Sequence, residues 1–172
     1  ARFNALLIGE KFMTAKGRTK IIGKYLKTFK KANEDRPNFF TKLYSLKKER
    51  YLKICGITNL NDAQKAAMHG ADILGFVCVD SSPRKIALNK LKQFKKLKPL
   101  KVAVVKDPNK KTLKTLKKLL KQKLIDGIQF HGQEQAELIE SFGGNGYKAV
   151  SINNKNNILK AQKDHQPVFL TD

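Results

Sequence analysis

Five kinds of side chain in this 172-residue sequence could do chemistry: a thiol at Cys55, an isolated guanidinium at Arg84, the amide and imidazole of the alternating pair Gln129 and His131, and the carboxyl of Asp172. A thiol acts as a base only as thiolate, which needs nearby positive charge or amide dipoles. Gly56, directly after Cys55, permits a tight turn that would leave backbone N–H groups exposed. On residue type alone Cys55 reads more readily as an inert strand cysteine, and Cys78 as a packing residue. Arg84 is the only arginine after Arg50 in a chain that otherwise chooses lysine. A planar guanidinium can hold a carboxylate bidentately; a surface-loop arginine after Pro83 is the plainer alternative. Gln129 and His131 could touch a ligand or fix a loop. Asp172 could serve as a general acid if its site is apolar enough to keep it protonated, and Phe169 and Leu170 precede it. His69 and His165 read as surface residues. Two cysteines with no CxxC, and no histidine at ligand spacing, predict neither a metal site nor a disulfide framework.

These residues need strands to carry them. Apolar runs fall at 51–55, 73–79, 100–105, 125–130, 147–152 and 167–171, separated by helix-length stretches at 60–69, 87–97, 110–123, 133–142 and 154–163. Strand and helix alternating at this spacing predict an α/β protein with a parallel sheet. The pattern fits either an open doubly wound sheet or an incomplete (β/α)8 TIM barrel of about six βα units. In both, chemistry collects at the carboxyl ends of the strands, where Cys55, Arg84, Gln129, His131 and Asp172 fall. Asn59 or Asn61 can cap the first of these helices, Gly70 can end it, and Pro108 lies near the first turn of the third. Upstream, residues 3–8 predict a buried strand ending at Gly9, residues 10–31 a helix with lysines on its outer face, and residues 32–50 a linker with one short helix.

The formal charge is +22, with a pI near 10.1, which raises the alternative of a nucleic-acid-binding protein. Only five of the 36 basic residues are arginine, the residue that dominates base-edge and bidentate phosphate contacts. Lysines spread over nearly every predicted helix describe a solvated face, so no specific nucleic-acid partner is expected. The sequence has no run of about 18 apolar residues, so no membrane span is expected, and a reducing cytoplasm is the default location. The chain begins at Ala1 and stops just after an apolar run, so both ends are expected to continue in a longer protein.

The segment Lys53-Ile54-Cys55-Gly56-Ile57-Thr58 resembles the opening strand and turn of the phosphoribosylanthranilate isomerase family. Gly70-Ala71-Asp72, Gly75-Phe76-Val77 and Ser82-Pro83-Arg84 follow in the family's order. So do Ile128-Gln129-Phe130-His131-Gly132 with Glu134, and Pro167 to Asp172. The resemblance covers residues 51–172. It implies a TIM barrel, a small-molecule substrate and an Amadori rearrangement of N-(5-phosphoribosyl)anthranilate that needs no cofactor or metal. It also implies Cys55 as the base, Asp172 as the acid, and Arg84 on the anthranilate carboxylate. Gly56, Gln129 and His131 become substrate-side candidates. In the family the substrate phosphate is held by the seventh and eighth strands, so residues 1–172 alone are expected to be inactive.

Phe3-Asn4-Ala5-Leu6-Leu7-Ile8-Gly9-Glu10 resembles the last strand and turn of indole-3-glycerol-phosphate synthase, a decarboxylating lyase that is also a TIM barrel. That resemblance implies a fused synthase domain whose end is residues 1–31, and makes Gly9 and Glu10 candidates for its phosphate turn. The expected organisation is therefore a synthase end at 1–31, a linker at 32–50, and the front of an isomerase barrel at 51–172.

Overall fold

The computed structural model describes residues 37–151 and 168–171. Gly9, Glu10 and Asp172 lie outside the described residues, as does the helix expected at 154–163. Six parallel strands form one sheet: β1 Lys53–Cys55, β2 Ile73–Val77, β3 Leu100–Val105, β4 Gly127–Phe130, β5 Gly146–Ser151 and β6 Val168–Thr171. Their spatial order is the chain order, β1-β2-β3-β4-β5-β6. A doubly wound sheet reverses its order at a switch point. The absence of any reversal among these strands selects the barrel-type alternative.

The elements follow their sequence signals closely. Helix α1 (Phe39–Ser45) is fixed by a capping box: the Asn38 side chain accepts from Thr41 N at 3.0 Å, and Thr41 Oγ1 accepts from Asn38 N at 2.8 Å. Helix α2 (Leu60–Met68) starts at Asn59, whose side chain accepts from Asp62 N, and Gly70 follows its end at φ +87°. Asn109 caps helix α3 (Lys110–Lys121), and Pro108 lies just ahead of it, near the first turn as expected. The stretch expected as a helix at 87–97 is a 3-10 segment, Leu88–Phe94, and α4 is only Ala136–Glu140, followed by a 3-10 turn at Gly143–Asn145.

Strand alternation divides the apolar residues into two clusters. On one face Leu74, Phe76, Ala103, Val105, Ile128 and Phe130 pack under the helices, against Leu91, Phe94, Leu116 and Ile139 among others. On the other face Ile73, Val102 and Tyr147 pack on Phe39, Phe40 and Leu43 of α1. The stretch read as a linker thus contributes a core element. Phe39 is fully buried, stacks on Tyr147 with ring centroids 5.4 Å apart, and fills the space over Gly127, where a Cβ would lie 2.9 Å from its ring. Sequence spacing did not reveal this, because a seven-residue amphipathic helix shows its apolar face only once a partner surface exists.

Two aspartates fasten the amino ends of the strands in the same way. Asp72 accepts from Leu52 N at 2.9 Å and from Lys48 Nζ at 2.5 Å. Asp126 accepts from Lys101 N at 2.9 Å and from Lys42 Nζ at 2.7 Å. Each closes a neighbouring strand pair and ties it to α1 or the turn after it. In such barrels this end serves stability and the opposite end chemistry.

Candidate active site

At the carboxyl end of β1 the chain turns at Gly56, whose φ is +92°, a region open to glycine at little cost. The N–H groups of Gly56 and Ile57 both donate to Gly75 O, at 2.9 and 3.1 Å. The expectation that this turn exposes amide dipoles to the thiol is therefore corrected: those donors are spent on β2. Positive charge reaches Cys55 by other routes. Cys55 itself is exposed.

Arg84 comes from the loop after β2. That loop is folded back by Ile86 N donating to Val77 O at 2.8 Å, by a turn from Lys85 N to Ser82 O at 3.1 Å, and by Arg84 N donating to Ser82 Oγ at 3.2 Å. The guanidinium then lies over Gly56, with Nη1 donating to Cys55 O at 3.2 Å. A Cβ on Gly56 would sit 2.7 Å from Arg84 Cδ, so the glycine is needed for the approach as well as for the turn.

Lys53 lies on the same face as Cys55, and the two flank Gly75: a Cβ there would lie 2.6 Å from Cys55 Sγ and 3.1 Å from Lys53 Cε. Lys53 Nζ donates to Gln129 Oε1 on β4. In a flat sheet β1 and β4 would stand about 14 Å apart, with side chains perpendicular to it. A direct bond between them shows that the sheet curls around this face. Tyr147 OH on β5 donates to the same oxygen at 3.3 Å. Burial pulls the Lys53 ammonium below the ordinary lysine range, and the negative form of Cys55 opposes that pull. Burial also pushes the Tyr147 phenol above its usual range, with Cys55 adding to it, so Tyr147 stays a donor.

Gln129 is 3% exposed and meets Lys53 and Tyr147 inside the barrel, below the rim where His131 is exposed. The neighbouring loops are held by Glu134, whose carboxylate accepts from Asp107 N and Gly132 N, both at 2.8 Å, and from Lys148 Nζ at 2.9 Å. Lys148 Nζ also donates to Gly132 O at 2.6 Å. Cys78, by contrast, is half-buried, and burial pushes its thiol up to about 12, with Lys85 opposing, as befits a packing residue. The structure brings together Cys55, Gly56 and Arg84, three of the residues singled out in the sequence. Sequence reasoning missed Lys53, Tyr147 and Lys148, whose inward or rim placement depends on strand register. Among the described residues no group of histidine, cysteine and acidic side chains could hold a metal, and no helix is long and apolar enough to cross a membrane.

A parallel sheet wound in sequential order, with a thiol, a guanidinium and a half-buried ammonium gathered near one strand end, defines the front part of a TIM-barrel-like fold with its candidate site at the carboxyl ends of the strands. A family model described as N-(5'phosphoribosyl)anthranilate (PRA) isomerase matches residues 52–172, and the chain belongs to that family. An N-(5'-phosphoribosyl)anthranilate isomerase of Petrotoga mobilis is 37% identical over 126 residues, which is 70% of this chain and 59% of the relative. One from a Sulfurihydrogenibium species is 34% identical, covering 70% and 60%. The crystal structure of phosphoribosyl anthranilate isomerase from Thermotoga maritima matches with a TM-score of 0.61 at 28% identity, over 70% of this chain and 60% of that one. A structure of the isomerase in complex with reduced 1-(o-carboxyphenylamino)-1-deoxyribulose 5-phosphate matches equally well, with a TM-score of 0.61 and 28% identity. The chain spans about 60% of the length of these relatives. Residues 1–51 lie outside the family match.

Proposed function

We propose that the protein isomerises N-(5-phosphoribosyl)anthranilate to 1-(2-carboxyphenylamino)-1-deoxyribulose 5-phosphate, a step of tryptophan biosynthesis. The observation that carries this reading is the meeting of Arg84 with Cys55 and Gly56 within the family's own motif order. In this reading Asp172 donates a proton to the furanose ring oxygen, and the C1–O bond breaks to give an open-chain Schiff base. Cys55 thiolate then removes the proton from C2, and the electron pair moves to form the enolamine. Tautomerisation to the ketone completes an internal redox exchange with no external oxidant or cofactor. Arg84 holds the anthranilate carboxylate in its fork, and His131 stands at the rim on the substrate side.

The test uses the protein as its gene encodes it, following loss of anthranilate fluorescence when phosphoribosylanthranilate is added. Cys55→Ser and Asp172→Asn should each cut turnover by at least about a hundredfold while the far-ultraviolet spectrum is unchanged. Rates close to the parent's would remove the residue concerned from the mechanism, and a parent without turnover would overturn the reading. Residues 1–31 are read as the end of a fused indole-3-glycerol-phosphate synthase, supported by the Phe3–Glu10 motif upstream of the isomerase. The gene-encoded protein should then also convert the isomerase product to indole-3-glycerol phosphate with release of carbon dioxide; absence of that product removes the fusion.

A further inference from the structure

A base built on cysteine needs a source of positive charge, and the turn amides are already occupied by Gly75 O. Among the described residues, the charged or titratable groups facing Cys55 are few. Lys53 comes from β1 itself, Tyr147 from β5, and Arg84 from the loop after β2, reaching the carbonyl rather than the thiol. β2 presents Gly75, which has no side chain and so leaves the thiol and the lysine stem side by side. β4 presents the neutral Gln129, whose amide oxygen receives both Lys53 Nζ and Tyr147 OH.

We infer that Lys53 is a positioning residue for Cys55: clamped by Gln129 inside the barrel, its ammonium favours the thiolate at the mouth above it. The physical case rests on three features. The lysine cannot swing out to solvent without abandoning its acceptor on β4. Its charge sits in a partly desolvated place, where a Coulomb interaction is stronger than in water. The thiol and the lysine stem lie side by side over the bare face of Gly75, with no side chain between them. Gln129 and Tyr147 then act on the reaction through Lys53. Gly75 is the packing condition for the pair, since any side chain there would push the thiol and the ammonium apart. The consequence for catalysis rests on Cys55 being the base, but the thiolate effect itself does not depend on turnover.

The experiment measures the pH dependence of carbamidomethylation of Cys55 by iodoacetamide, in a Cys78→Ser background that leaves one thiol. Lys53→Met should move the midpoint of the rate profile upward by about one pH unit or more and slow labelling near neutral pH about tenfold. Lys53→Arg, which keeps the charge, should recover most of the difference. Gln129→Glu, nearly isosteric, places a carboxylate against the ammonium and should shift the midpoint in the same upward direction as Lys53→Met. If Lys53→Met does not fold, as judged by circular dichroism, the Gln129→Glu profile decides. A midpoint unchanged from the parent in the folded variant overturns the inference. Failure of the isomerase assay with the shift intact would strike only the functional reading above.

Discussion

The guanidinium of Arg84 donates to the carbonyl oxygen of Cys55 over 3.2 Å, joining residues 29 positions apart through the bare face of Gly56. Gly56→Ala attacks both the turn and the contact. Its φ of +92° strains any L side chain, and the new methyl would overlap Arg84 Cδ and Nη1, each 2.7 Å away. The backbone strain should cost about 1–3 kcal/mol in chemical denaturation. Displacement of Arg84 should lower kcat/KM at least about tenfold, mainly through KM, because the carboxylate grip is lost. Unchanged KM with altered stability would show that Arg84 does not hold the substrate. Arg84→Lys keeps the charge without the fork and should show the KM rise alone.

Glu134 should matter more for shape than for charge. Its carboxylate closes two backbone N–H groups and Lys148 into one knot across the ends of β3, β4 and β5. Glu134→Ala leaves the Asp107 and Gly132 N–H groups without their acceptor, and Lys148 with backbone carbonyls alone, and should destabilise the protein by about 2–4 kcal/mol. Hydrogen exchange should rise at Asp107, Gly132 and Gln133 ahead of the strands. Equal protection in variant and parent would contradict the assigned role.

Phe39 tests whether α1 belongs to the barrel. Fully buried between Phe40, Tyr147 and Gly127, it should cost about 3–5 kcal/mol when changed to Ala. A loss below about 1 kcal/mol would return residues 39–45 to the status of a linker.

Acid should loosen the amino end of the strands first. Burial alone would raise the Asp126 carboxyl, but the hydrogen bonds from Lys42 and Lys101 N, with the charges of both lysines, outweigh it and hold Asp126 below the usual carboxylate range. Asp72 behaves alike, burial being outweighed by Lys48 and Leu52 N. For a group whose pKa is lower folded than unfolded, the stabilisation is full above the unfolded value, near 3.9, and is lost as pH falls through the folded one. The melting temperature should therefore drop steeply below about pH 4. Asp126→Asn should start lower and show a shallower drop, and a parallel curve would show that Asp126 does not drive the acid transition.

Much of the fold was legible because apolar runs and caps are local. Strands β3 and β6 fall at or within a residue of their expected bounds, and Asn59 is the one of the two candidate caps that the helix uses. The short α4 and the 3-10 segment Leu88–Phe94 were not legible, since their apolar spacing resembles a helix and only packing on the sheet decides how far it winds.

The sequence by itself determined the strand ends that carry Cys55, Arg84 and His131, and the motif order that marks the family, because these are properties of neighbouring residues. Tertiary structure decided the rest. Sequential strand order excluded the doubly wound sheet, curvature brought Lys53 to Gln129 across three strand spacings, and the glycine faces at Gly56 and Gly75 admitted Arg84 beside the Cys55 carbonyl and Lys53 beside the thiol. Such contacts depend on how far each strand is staggered against the next. That stagger is set by the packing of both faces of the sheet at once, and no short stretch of sequence contains it.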